Sequence, residues 1–249
     1  KNKNRIEIMK HLTAIIFAIA IIVASISLGN AYVKRANPPR VISVTGSGNE
    51  NFTSDLIVWE GSFSAFNPVL KSAFERLNEE KEIVKTYLMS KGISEANIIF
   101  NAVQTIEQQD NHYENGNFVG STFKGYDLSQ SIQIESTDVS KIEQVSREVT
   151  ELLNKGVQFT SVPPRYYYTK MADLKIEMIS KATEDARVRA ENISKNAGGR
   201  LGDLISAQMG VFQITGQNSG EDYSWGGTCY TESKNKTASI TMRLEYTVK

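Results

Sequence analysis

The groups able to do chemistry are few outside the acids. The chain has two histidines and one cysteine. His11 borders a long apolar run, and His112 stands alone in a polar stretch. Neither sits in a Ser-His-Asp or Cys-His arrangement, and no His pair has metal-ligand spacing. Cys229 has no second cysteine for a disulfide or a CxxC motif. It reads as an incidental thiol of a polar loop; a redox sensor would need a resolving partner. No EF-hand loop and no GxxxxGK[ST] run occurs. Gly46-Ser47-Gly48 is too short for a dinucleotide fingerprint and reads as a turn. Glycoside-type hydrolysis needs two acids brought together in space. Twenty-eight acids are available, and no spacing singles out a pair. The expectation is therefore no catalytic residue, no cofactor and no metal, with a carboxylate-based hydrolase as the alternative.

Two other patterns bear on binding. Residues 217–236 form a polar, glycine-rich stretch carrying Tyr223, Trp225 and Tyr230. Loops this long without regular structure are functional or mobile. A ligand-binding module with an aromatic platform and a mobile hairpin loop are both open readings. The Asn-x-Ser/Thr triplets at Asn51, Asn192 and Asn235 have the form of glycosylation acceptors, a form too short to be specific.

Lys plus Arg and Asp plus Glu both number 28 among 249 residues, so the net charge is zero. No basic excess exists to hold a nucleic-acid backbone. A hydrophobic content of 40% suits a folded domain.

Residues 12–33 carry no charge. As a helix they span roughly 33 Å, close to the thickness of a bilayer core. A core helix would be apolar on one side only. The segment predicts an uncleaved transmembrane anchor after a short flank, residues 1–11. The competing reading is a signal peptide, with Gly29-Asn30-Ala31 permitting cleavage after Ala31. Met9 reads as a start that leaves Lys10 and His11 as a short n-region. Basic residues flank both ends, so charge alone does not set orientation. A large domain after a first apolar segment is normally translocated, which places the N-terminus in the cytoplasm. Both readings imply export. Residues 34–40, with Pro38-Pro39, read as a stiff linker.

The remainder, residues 41–249, reads as one domain. Period-two patterning predicts strands at 41–46 and 55–66, with Ile57, Trp59, Gly61, Phe63 and Ala65 on the core face. Asn67-Pro68 opens a helix that stops at Gly92. Strands follow at 97–108 and 123–135, joined by a loop with an Asn115-Gly116 turn signal. Asp138 caps a second helix that ends at Gly156, and 165–169 is a strand. From residue 55 to 169 the order is strand, helix, strand, strand, helix, strand. That order predicts an α+β fold with a ferredoxin-like antiparallel sheet core. A long helix, 171–197, and two strands, 204–214 and 238–248, extend it. The long helix presents Ala182, Ala186 and Ala190 along one face.

These segments together resemble the SIMPL domain family. The matching pieces are ISVTGSG at 42–48, YLMSKGIS at 87–94, GYDLSQSIQI at 125–134 and ATEDARVRAENISKNAGGRLGDL at 182–204. The last is the most specific, and DLIVW at 55–59 resembles a subgroup with an N-terminal anchor. The resemblance covers nearly everything after Arg40, and the aromatic loop at 217–236 departs from it. It implies a bacterial envelope protein, periplasmic or held at the inner membrane, with a stress-related role and ring-like or barrel-like homo-oligomers. On that basis Ala182, Ala186 and Ala190 are a candidate self-association face. Packing of the same alanines on the subunit's own sheet is the other reading. The expected function is a non-enzymatic, self-associating envelope scaffold or stress-defence protein.

Overall fold

The computed structural model describes residues 2–36, 40–220 and 224–249. Helix α1 (Asn2–Ala36) contains Ile15–Val33, a stretch long and apolar enough to cross a membrane, none of it buried. An anchor and a signal sequence both fit such a helix. Residues 34–36, the first part of the expected linker, continue the helix. Pro38-Pro39 lies outside the described residues.

The domain is mixed α/β with antiparallel sheet pairing. It divides into two compact units. One comprises residues 1–46, 186–208 and 243–249, and the other residues 47–185 and 209–242. Strand β1 (Val41–Thr53), helix α4 (Met171–Asn196) and strand β10 (Asn235–Val248) contribute residues to both.

In the larger unit, β2 (Leu56–Asn67) is followed by α2 (Leu70–Ser90). Then come β3 (Ile98–Phe100), β4 (Gln104–Glu114) and β5 (Asn117–Ser136). Helix α3 (Val139–Glu148), β6 (Phe159–Ser161) and β7 (Arg165–Tyr167) complete the run. These strands form a six-stranded sheet: β3 and β4 pair with β5, β5 with β2, and β2 with β6 and β7. Every one of these pairings is antiparallel. Ile57, Trp59, Phe63 and Ala65 are buried as the alternation predicts. They share one core with Leu128, Ile132 and Ile134 of β5, Ala73, Leu77, Val84 and Leu88 of α2, and Ile142 and Val145 of α3. The Trp59 indole N–H donates to Ser161 Oγ at 2.9 Å, so the largest core side chain leaves no buried donor unpaired.

Several sequence expectations change. Gly46-Ser47-Gly48 is not a turn but the middle of β1, which continues to Thr53. Pairing with β10 makes it strand. A Cβ on Gly48 would stand 2.7 Å from the Met178 carbonyl oxygen of α4, so glycine serves close approach there. Helix α2 starts at Leu70, later than Asn67-Pro68 suggests. Asn67 Oδ1 accepts from the Val69 amide at 2.9 Å and makes a turn before the helix. The strand expected at 97–108 is split into β3 and β4, and between them the Gln130 Nε2 donates to the Asn101 carbonyl at 2.7 Å. The loop expected after it is strand. β4 and β5 run as a long hairpin through Asn115 (φ 52°) and Gly116 (φ 83°), the two-residue turn their sequence signals. Register shifts lie at Gln108/Gln109 and His112/Tyr113. Gly125, at φ 155°, faces the first of them and allows the bulge. The Asp138 cap stands: its Oδ1 accepts from the Lys141 amide at 3.1 Å.

A second sheet runs in the order β1-β10-β8, with β8 at Leu201–Met209, and β9 (Gln213–Gly216) pairs antiparallel with β10. The single strand expected at 204–214 is thus two. In the smaller unit α4 ends at Asn196, and the chain turns so that Arg200 and Lys249 exchange backbone bonds of 2.8 and 2.9 Å.

Candidate functional site

Strand alternation fixes what each face of β1 and β10 offers. Val44 and Gly48 of β1 point inward, and Ser47 and Asn49 outward. On β10, Ala238, Ile240 and Met242 are buried, while Ser239 and Thr241 face out. Within the larger unit these outward side chains meet the loop that follows β9. Ser47, Asn49, Val211, Gln213, Ser224, Trp225, Ser239, Ile240 and Thr241 line one cleft of about 650 Å³. Small-molecule sites fall in this size range.

Gln213 builds the loop's geometry. Its Nε2 donates to the Ser224 carbonyl at 2.6 Å. Its Oε1 accepts from the Thr228 amide at 3.0 Å and the Thr228 hydroxyl at 2.9 Å. Between those clamped ends the Gly227 amide donates to the Ser224 carbonyl at 3.1 Å, closing a tight turn over Trp225. Further along, Cys229 forms a parallel bridge with Ile214. The described part of the loop is therefore tied to β9. Trp225 is 99% exposed at the corner of the turn, beside the cleft.

A second cluster lies on the larger unit around Glu143. Tyr166 Oη donates to its Oε1 at 2.8 Å, and Lys234 Nζ donates to its Oε2 at 2.9 Å. Burial opposes ionisation of Glu143, but these two bonds outweigh it and hold the carboxyl below its usual range. Burial, reinforced by the Glu143 carboxylate, pushes the Tyr166 phenol up to about 12. The buried Lys236 donates to the Tyr166 carbonyl at 2.5 Å, and burial lowers its ammonium. This cluster fastens β10 to α3 and β7. Glu80 behaves oppositely. Burial raises its pKa, Arg76 Nε donates to one oxygen at 3.1 Å, and the other oxygen is buried without a partner among the described residues.

The model of the SIMPL family, described as a protein of unknown function (DUF541), matches residues 42–245. The chain belongs to the SIMPL family. No curated protein matches it.

Within this SIMPL domain the sequence-predicted residues separate. Ala182, Ala186 and Ala190 are each 0% exposed in the single chain. The stripe is covered by the chain's own packing. Of the expected aromatic platform, Trp225 lines the cleft and Tyr223 lies outside the described residues. Tyr230 is turned to Glu232, its hydroxyl donating to Oε2 at 3.0 Å. Cys229 is exposed. His112 is exposed on the β4–β5 hairpin, its Nε2 3.0 Å from Thr122 Oγ1. Among the described residues no cluster of His, Cys, Asp and Glu could hold a metal. Sequence reasoning missed Gln213, Ser47, Asn49, Ser239 and Thr241. Their alternation was readable, but which strands lie side by side was not.

Proposed function

We propose that this SIMPL protein is exported and membrane-anchored, and acts without catalysis as a self-associating scaffold of the bacterial envelope. Export by α1 places the folded domain on the periplasmic side of the inner membrane, or frees it there if cleavage follows Ala31. The family resemblance carries the suggestion of a stress-related task.

The β4–β5 hairpin is the observation that carries self-association. β4 pairs with β5 alone among the described strands, leaving an open edge. Ile106, Tyr113, Phe118, Val119 and Phe123 are exposed along the two strands. A ribbon with an open edge and apolar side chains is a template for strand addition. The same reading takes the six-stranded sheet as ferredoxin-like, with β3 and β4 counted as one strand and β6 and β7 as another.

Light scattering on the full chain in detergent tests the proposal. The expected species is an oligomer that Phe118→Ser with Val119→Ser reduces in mass. A strict monomer at high concentration overturns it. N-terminal sequencing of the chain from both the membrane and the soluble fractions reads the anchor: a soluble chain beginning at Tyr32 means cleavage.

The ligand-binding reading has its own support in the cleft beside Trp225. The carboxylate-hydrolase reading has less. Their hydrogen-bond partners hold Asp55, Glu143 and Glu148 below the usual carboxylate range, and Glu80, raised by burial, is paired with Arg76.

A further inference from the structure

We infer that the cleft beside Trp225 binds a short neutral oligosaccharide. The inference rests on the ligand-binding reading and names its substrate class.

Three features converge on that class. Trp225 is held, not merely exposed. A buried glutamine fastens both ends of its turn, at Ser224 and Thr228, so the backbone that carries the ring has little freedom to lose on binding. A fully exposed indole is an apolar surface waiting for a cover, and its face suits a flat array of C–H groups. The second feature is the lining. The described side chains around the cleft are Ser47, Asn49, Ser239 and Thr241, with Gln213 and Ser224 at the loop, beside Val211 and Ile240. Hydroxyls and amides both donate and accept. None of these side chains is charged, so nothing among them offsets a phosphate or a carboxylate. A purely aliphatic ligand would leave the hydrogen-bonding groups of Ser47, Asn49, Ser239 and Thr241 unpaired once water left. The third feature is shape. Polar side chains come from two neighbouring strands, β1 and β10, and the indole from a loop at their side. A pyranose ring needs this combination: one C–H face for the aromatic ring and a rim of hydroxyls for short polar side chains.

The test uses the full chain in a glycoside-free polyoxyethylene detergent, followed by tryptophan fluorescence. The two tryptophans separate cleanly, because Trp59 is 0% exposed and Trp225 is 99% exposed. Iodide should quench Trp225 and spare Trp59. Adding tri-N-acetylchitotriose or maltotriose should shield Trp225 from iodide in a saturable way. Inorganic phosphate should not. Trp225→Ala should abolish the response while the Trp59 emission, a readout of the fold, stays unchanged. Asn49→Ala should weaken binding about tenfold, the loss of one hydrogen bond. If neither sugar shields Trp225 but the dye anilinonaphthalene sulfonate binds in a Trp225-dependent way, the cleft binds ligands and the saccharide class is wrong. If neither sugar nor dye binds, the ligand-binding reading falls with it. If iodide cannot reach Trp225 before any sugar is added, the indole sits in the micelle, and a lipid-contact role replaces the proposal.

Discussion

Thr237 donates its hydroxyl to Oδ1 of Asn51 at 2.7 Å, and Thr53 donates to Oδ1 of Asn235 at 3.1 Å. Two triplets that have the form of glycosylation acceptors therefore answer each other across neighbouring strands. Their asparagines serve as cross-strand acceptors, the usual work of polar pairs on a sheet face. The exposed setting keeps each bond modest. Asn51→Ala and Thr237→Val should each cost about 0.5–1 kcal/mol, and the double variant should cost less than the sum. Urea unfolding of the four-member cycle measures this.

Gly48 carries a larger penalty. A methyl group there would meet the Met178 carbonyl at 2.7 Å and the Ala182 amide nitrogen at 3.2 Å. Both are backbone atoms of α4, so relief requires moving the helix. Gly48→Ala should destabilise by about 1–3 kcal/mol. At Gly220 an added Cβ meets nothing within 4 Å, and Gly220→Ala should be near neutral. Thermal unfolding of the pair distinguishes steric close approach from a general glycine effect.

Glu143 makes stability depend on acid. Its pKa is lowered from 4.5, so the folded state prefers the carboxylate. The stabilisation is complete above the ordinary glutamate range and fades as pH falls through the lowered value. Glu143→Gln should cost about 1–2 kcal/mol at neutral pH, since Lys234 loses its charged partner. The difference between variant and parent should shrink below pH 4.5. Chemical denaturation across an acid series checks both the sign and the window.

Gln213 organises the Trp225 turn from one buried amide. Gln213→Ala removes the acceptor shared by the Thr228 amide and hydroxyl and the donor to the Ser224 carbonyl. Loss of about 1–3 kcal/mol is expected. Amide hydrogen exchange should rise sharply at residues 224–228 and stay unchanged in the core around Trp59.

Part of this protein could be read without a structure. The apolar stretch at 12–33 and the inward residues of β2 follow from composition and period, which are local properties. So do the Asp138 cap and the Asn115-Gly116 turn, each a short-range hydrogen-bonding or backbone preference. The family was legible for a similar reason, since its most specific motif is the contiguous stretch 182–204. Other features were decided by partners far along the chain. Gly46-Ser47-Gly48 has the composition of a turn, yet it is strand because β1 pairs with β10, and α4 lies so close that position 48 must be glycine. The strands expected at 97–108 and 204–214 have unbroken patterns, yet each is two strands in the fold. Between the first two, Gln130 donates to the Asn101 carbonyl. The alanine stripe was clear as a pattern, but its cover was not. A pattern records that a face is small and apolar, not which surface meets it. The cleft shows the same limit most plainly. Ser47 and Asn49 lie far in sequence from Trp225, Ser239 and Thr241, and only the meeting of β1, β10 and the clamped loop makes them one site.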